Sequence, residues 1–318
     1  MILKFYQHVI TMTEYSDHTI LRYNQAITSI RRLYEDNVGK KCKIPECLDE
    51  DCDKIIDIIK HNYELSSIHS FISAVLWELS KQSSYDTDYI DKIKDKYRIH
   101  GKEIKETVER SKIGKEFELS EKERKHFMVW EDIIHFRQML LKNLHRDNYN
   151  SMIEFLIVSL YTLHPPARAD YANMKLFIDD SFVPENYKEN YCVLQTNPRF
   201  VFNKYKTSKG KGTITIQIIP ELHDILLDWT ELNESEYLLS SYIQSKNMSK
   251  PFTESALCRR ITLIFQKYLD KSVTINTLRH SFISFMSKND QEYDRKKENA
   301  EKMMHSVSMA DTYRRIVY

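Results

Sequence analysis

Glycine and proline are scarce in this chain, five and seven among 318 residues. That scarcity excludes collagen-like and low-complexity architectures and leaves little material for long disordered linkers. No apolar run approaches the ~20 residues of a membrane-spanning helix, so no membrane partner is expected. The opening residues, MILKFYQHVITMTEY, lack the basic, apolar and small-residue order of a secretory signal. Charge of one sign is missing too. The 47 basic and 46 acidic side chains leave a net +1, so any basic surface has to be local. Cysteines are few and unpaired in pattern. Cys42, Cys47 and Cys52 recur every five residues without forming CxxC, while Cys192 and Cys258 stand alone. An odd count without paired spacing predicts free thiols in a reducing, intracellular compartment and argues against a zinc site.

What is present is ordinary for a globular protein: 42% hydrophobic and 29% charged residues, in a chain long enough for two domains. The first half reads as helix. Residues 16–37 carry Ser16 as an N-cap and apolar side chains at Ile20, Tyr23, Ile27, Ile30 and Leu33, the spacing of one helical face. The opposite face carries Arg22, Arg31 and Arg32, candidates for contact with a polyanion. Further helices are predicted over 49–63, 66–82 and 86–109. Residues 109–126 are charged and weakly periodic, as a hinge would be. Beyond it, 128–144 and 149–163 are strongly apolar helices, and Pro165 and Pro166 end the second and start another. Residues 191–196, 199–205 and 213–219 alternate apolar and polar side chains, with turns at Asn197-Pro198 and Gly210–Gly212. They predict a small antiparallel sheet, the only strand-rich region. Helices follow at 220–232, 253–270 and 274–288. The fold class is therefore mainly α with a small antiparallel β-sheet: a helical domain over 1–112, a linker over 113–127 and an α+β domain over 128–318.

Chemistry concentrates near the end. TLRHSF (277–282) places Arg279 and His280 on one helix. MMHSVSMADTY (303–313) adds His305 and, eight residues later, Tyr313. Arginines neutralise phosphate oxygens bidentately, a His or Lys moves protons, and a phenol can act as nucleophile. Upstream, ARADY (167–171) supplies Arg168 and Asp170. FNKYKTSKGKGT (202–213) supplies lysines, and from Arg199 to Lys211 five cationic residues occur with no acid, a composition suited to phosphate-backbone contact.

An Arg after a buried helix, a Lys on a β-hairpin, LRHSF on a helix, then a His and a C-terminal Tyr: in this order the motifs resemble the tyrosine recombinase (integrase) family. PPARADY, FNKYKTSKGKGT and MMHSVSMADTYRRI are most similar to recombinases of large DNA viruses and virophages. The resemblance covers about 128–318, and reaches the helical first part only through the expected layout of a core-binding domain. It implies a metal-free and cofactor-free enzyme that cleaves and rejoins double-stranded DNA through a 3′-phosphotyrosine link, assembling as a tetramer on DNA.

The resemblance implies site residues one by one. Arg168 and Arg279 are the phosphate-binding arginines. In the family an acid follows the first arginine by three positions; here Asp170 follows by two and would orient Arg168. Lys206 has the Lys-Thr wording of the catalytic lysine, with Lys204, Lys209, Lys211 and Arg199 as DNA contacts. Asn276 stands where the family has a His, and an amide can hold a phosphoryl oxygen but not donate its proton at neutral pH. His280 is an orienting residue. His305 matches the second family His, with Met304 in place of the glycine before it. Tyr313 is the nucleophile and Tyr318 its one rival in that segment. Only five residues follow Tyr313, so assembly is expected to use the nucleophile segment itself or another surface. The residues also leave open a type IB topoisomerase, which uses nearly the same set, and a non-enzymatic DNA-binding protein on a decayed recombinase fold. Taken singly, each residue has an ordinary reading: a surface lysine, a capping histidine, an arginine paired with a neighbouring acid.

Overall fold

The computed structural model describes residues 15–112, 118–119, 121–243, 248–289, 292–304, 306 and 313–315. The chain divides into two compact units, Met1–Lys115 and Glu116–Tyr318.

The first unit is helical. Helix α1 (Asp17–Val38) starts where the Ser16 hydroxyl accepts the Thr19 amide and stops at Gly39, whose φ of 69° only glycine adopts without cost. It buries Ile27, Ile30 and Tyr34. The predicted helix over 49–63 is instead two, α2 (Glu46–Glu50) and α3 (Cys52–Asn62), broken at Asp51, whose carboxylate accepts the Tyr34 hydroxyl. Helices α4 (Leu65–Ser80) and α5 (Thr87–Lys112) complete the unit around Ile55, Ile59, Ile72, Leu79, Ile93 and Tyr97. The expectation of five free thiols does not hold here. Cys42 and Cys47 form a disulfide with Cα atoms 5.6 Å apart, leaving Cys52, Cys192 and Cys258 free. A five-residue spacing carries no sequence signal for pairing; the turn into α2 brings the two together.

The second unit opens with the short helix α6 (Glu121–His126), which lies inside the stretch expected to be linker. It continues with α7 (Trp130–Lys142) and α8 (Tyr149–Leu160). Every residue of α8 from Met152 to Leu160 is buried, so this helix forms the centre of the unit. After it the prolines do not start an α-helix. The chain runs extended and makes a single 3-10 turn, Ala169–Tyr171. A four-stranded sheet follows, in the order β1 (Lys175–Phe177), β2 (Tyr191–Val193), β3 (Arg199–Phe202), β4 (Ile214–Gln217). The last three strands are the expected antiparallel set. β1 was not expected, and it pairs parallel to β2. Three residues, KLF, are too short to show alternation. Phe200 and Phe202 point into the core against Tyr171, ring centroids 5.3 and 5.7 Å away. The expected turn at Gly210–Gly212 is a short helix, α9 (Ser208–Lys211), closed by Gly212 at φ 74°. Helix α10 (Pro220–Leu232) leads to a second pair of strands absent from the sequence expectation, β5 (Ser240–Ile243) and β6 (Met248–Pro251), polar enough to hide their alternation. Three helices follow: α11 (Glu254–Leu269), α12 (Ile275–Asn289) and α13 (Tyr293–Lys302). The protein is thus mostly helical with a small, mainly antiparallel sheet. Among the described residues no helix is long and apolar enough to cross a membrane.

One buried acid joins α8 to α11. Glu154, 6% exposed, receives Arg260 at 3.3 Å, Lys267 at 2.9 Å and the Tyr268 hydroxyl at 2.9 Å. Removing one partner of a buried charge cluster leaves the others uncompensated. Glu154→Ala is therefore expected to lower unfolding stability by about 3 kcal/mol, whereas Lys267→Ala, whose side chain is half exposed, costs under about 1 kcal/mol. Denaturant titration of both variants checks the contrast.

Candidate active site

Segments far apart in sequence meet at the two residues after α13. The Met304 carbonyl accepts both Arg168 Nη1 and Thr207 Oγ1, each at 3.4 Å. The Met303 carbonyl accepts Arg279 Nη1, also at 3.4 Å, and the same Nη1 donates to the Pro166 carbonyl at 2.7 Å. The two arginines are therefore held on consecutive carbonyls, with Lys206 next to the threonine that shares one of them. Tyr313 joins from the end of the chain, its ring 4.9 Å from the Arg279 guanidinium carbon.

Each member is placed by local causes. Arg168 sits in the extended run after α8, where Tyr161 donates its hydroxyl to the Arg168 carbonyl at 2.7 Å. Arg279 lies in the second turn of α12, between Leu278 and Phe282, whose burial draws the guanidinium inside. It is fully buried, and its Nε and Nη2 have no hydrogen-bond partner. Burial lowers its pKa, and the Tyr313 side chain draws it back up. His280 donates from Nδ1 to the Tyr313 carbonyl at 2.7 Å, and the two rings stack with centroids 4.8 Å apart. Burial lowers the His280 pKa, so the ring is a neutral holder of the tyrosine backbone. Beyond it, the Arg315 amide donates to Ser284 Oγ at 2.7 Å, fixing the segment along α12.

Met304 has φ 59°, the left-handed region that glycine enters freely and a long side chain does not. Its side chain is completely buried in the core. Met304→Gly should relieve about 1 kcal/mol of backbone cost but forfeit a buried thioether worth about 2–5 kcal/mol. A net loss of stability of about 1–4 kcal/mol is expected, readable by thermal denaturation.

Asp170 faces the same cluster. Burial raises its carboxyl to about 6, opposed by Arg168 and, more weakly, by Arg279, and its Oδ2 has no hydrogen-bond partner. The folded state thus holds a proton that the unfolded chain releases near ~4. Stability contributed by this group falls as pH rises from about 4 to about 6 and stays low above. At ~1.4 kcal/mol per pH unit the loss approaches 3 kcal/mol. Asp170→Asn should flatten that part of the stability profile; identical profiles for the two proteins would show that Asp170 titrates alike in the folded and unfolded chain.

The remaining expected residues are less uniform. Asn276 is exposed at the start of α12 and lines two cavities. One, of about 630 Å³, is shared with Arg168, Arg259 and Thr262; the other, of about 290 Å³, with His280 and His126. Lys206, Lys209 and Lys211 are exposed and carry no ion pair among the described residues. Arg199 is committed to Asp180 and Lys204 to Glu189. In the first unit Arg22 and Arg32 are exposed on α1, while Arg31 pairs with Glu78 at 3.5 Å. His305 and Tyr318 lie outside the described residues.

Sequence reading missed Asn190. Its side chain donates to the carbonyls of Asp170 and Lys204 at 3.1 and 2.9 Å, and accepts the amides of Asn203 and Lys204 at 3.0 and 2.8 Å. It thereby ties the arginine segment to the loop that carries Lys206. Nothing in KENYCVL marks this asparagine; only the tertiary pairing does. Arg259, on the wall of the larger cavity, was missed as well, since a lone arginine on an amphipathic helix reads as a solvated side chain.

No family model and no curated protein sequence matches the chain. Among solved structures, the crystal structure of XerA recombinase is similar over 94% of this chain and 87% of that one, at 17% identity and a TM-score of 0.37.

Proposed function

We propose that the second unit cleaves and rejoins DNA strands. Tyr313 attacks a scissile phosphate, giving a 3′-phosphotyrosine and a free 5′-hydroxyl, and the 5′-hydroxyl of another strand reverses the step. The observation that carries this reading is the convergence of Arg168 and Arg279 on the Met303–Met304 carbonyls, with the Tyr313 ring over Arg279 and Lys206 one residue from the same hub.

The residues divide the work by their chemistry. Arg279 has two unfilled donors, and a fully buried guanidinium gains most from a dianionic or anionic acceptor. The tyrosine ring lies over that guanidinium, so a phosphate held there has the phenol as its neighbour. Arg168 offers a second guanidinium, Asn276 an amide donor and His305 an imidazole. Preorganised donors of this kind contribute roughly 3 kcal/mol each to the transition state. Lys206 protonates the leaving 5′-oxygen. Asp170 and Asn190 hold Arg168 and the lysine loop in place.

Duplex DNA is the partner. Lys209 and Lys211 on α9, and Arg22 and Arg32 on α1, are free to meet phosphates. Arg199, Lys204 and Arg31 would first have to leave their acidic partners, so their share of the affinity is smaller. Strand exchange between two duplexes requires self-association on DNA, in the tetramer that two sites imply.

The test is a nicked duplex whose short 5′ fragment diffuses away after cleavage. A covalent adduct that survives denaturation and is released by protease is expected. DNA binding without any adduct would leave a non-enzymatic DNA-binding protein. Relaxation of supercoiled DNA without exchange between two sites would leave a topoisomerase-like activity.

A further inference from the structure

In the first unit, two side chains one turn apart on α5 face two acids that are also four residues apart. Lys96 Nζ meets Asp49 Oδ1 at 2.5 Å, and His100 Nε2 lies 2.9 Å from Asp53 Oδ1. Cys52 precedes Asp53 at the start of α3 and is buried. Its Sγ, a carboxylate oxygen of Asp53 and a ring nitrogen of His100 all lie within 4.8 Å of one another. We propose that Cys52, Asp53 and His100 bind a single zinc-class divalent cation that ties the start of α3 to α5.

The donor set is one sulfur, one nitrogen and one oxygen, which suits a borderline cation such as zinc and disfavours magnesium or calcium. Bonds of ~2.0–2.3 Å in a tetrahedral site place ligand atoms roughly 3.3–3.8 Å apart. The widest separation has to close by roughly 1–1.5 Å and the 2.9 Å His100–Asp53 pair has to open slightly, both within the reach of side-chain rotation.

Two further groups point to the ion. Tyr97, fully buried one turn before His100, sets its hydroxyl against the Cys52 thiol, its hydrogen-bonding neighbour. A cation-bound thiolate is a stronger acceptor for that hydroxyl than a neutral thiol. Likewise His100 Nδ1 is buried without a hydrogen-bond partner, 3.6 Å from the Glu103 carboxylate. With Nε2 on the ion, the ring proton moves to Nδ1 and faces Glu103, the outer carboxylate that ligating histidines usually have. The ion strengthens the first contact and gives the second group a hydrogen bond. No CxxC was available to signal the site, because its ligands come from helices that meet only in the folded unit.

The test titrates Co2+ into the full chain, stripped with chelator and kept free of oxygen. A thiolate-to-cobalt band in the near ultraviolet, saturating at one ion per chain and lost on adding Zn2+, is expected. Asp53→Asn should weaken binding roughly tenfold or more. Its carboxylate is 89% exposed, so the variant will fold. Cys52→Ser should remove the band, with circular dichroism reporting whether the helices persist. His100→Gln should abolish tight binding. The proposal is overturned if the natural chain gives no thiolate band, if the band persists in Cys52→Ser, or if Asp53→Asn binds cobalt as tightly as the natural chain.

Discussion

Tyr313→Phe is expected to abolish covalent capture of DNA while leaving duplex affinity within a few-fold. The hydroxyl forms the phosphoester, so without it no bond can be made. The ring contributes a stack on Arg279 and His280, and phenylalanine keeps the ring. Binding comes mainly from cations meeting phosphates, and those side chains are untouched. The measurement is adduct formation on the nicked duplex, set against a gel-shift titration at fixed salt. An adduct that survives in Tyr313→Phe and vanishes in Tyr318→Phe would move the nucleophile to the last residue.

Arg279→Met should lose cleavage by about 10²–10³-fold, the scale of removing one preorganised donor from a transition state. Its effect on stability should be small or favourable. The guanidinium is fully buried with Nε and Nη2 unpartnered, and replacing such a charge by an apolar side chain of similar volume is often neutral or stabilising. The carbonyls of Pro166 and Met303 lose a donor, which offsets part of that gain. A residue that costs stability but is needed for chemistry marks a binding site for something absent from the free protein. Single-turnover cleavage and denaturant unfolding, measured on one preparation, read both sides. A variant that cleaves normally but unfolds early would make Arg279 a structural strut. Arg279→Lys should rescue little, since an ammonium cannot offer the two parallel donors of a guanidinium.

The contrast between Arg279 and Asn190 shows where sequence legibility ends. Arg279 could be singled out because a charge inside an apolar stripe, Leu278 and Phe282 on either side, conflicts with its surroundings and asks for a partner. Asn190 carries no such conflict. Its four hydrogen bonds go to backbone groups of Asp170, Asn203 and Lys204, and backbone groups look alike in every sequence. Arg199 and Lys204 erred the other way. A run of five cations without an acid reads as one basic surface, yet Asp180 and Glu189, from other segments, neutralise two of them.

The sequence by itself determined most of the longer helices and their faces, the three antiparallel strands and the residue types needed for phosphate chemistry. Those follow from periodicity, capping and side-chain chemistry, which act within a few residues. Tertiary structure alone decided the parallel β1, the 3-10 turn in place of a helix after Pro166, the Cys42–Cys47 bridge and the pairing of Arg168 with Arg279 at adjacent carbonyls. It also decided that Met304 adopts a left-handed backbone, because its buried side chain offsets the cost. Each of these depends on groups brought together by long-range packing, and no local pattern encodes which distant backbone or side chain will arrive.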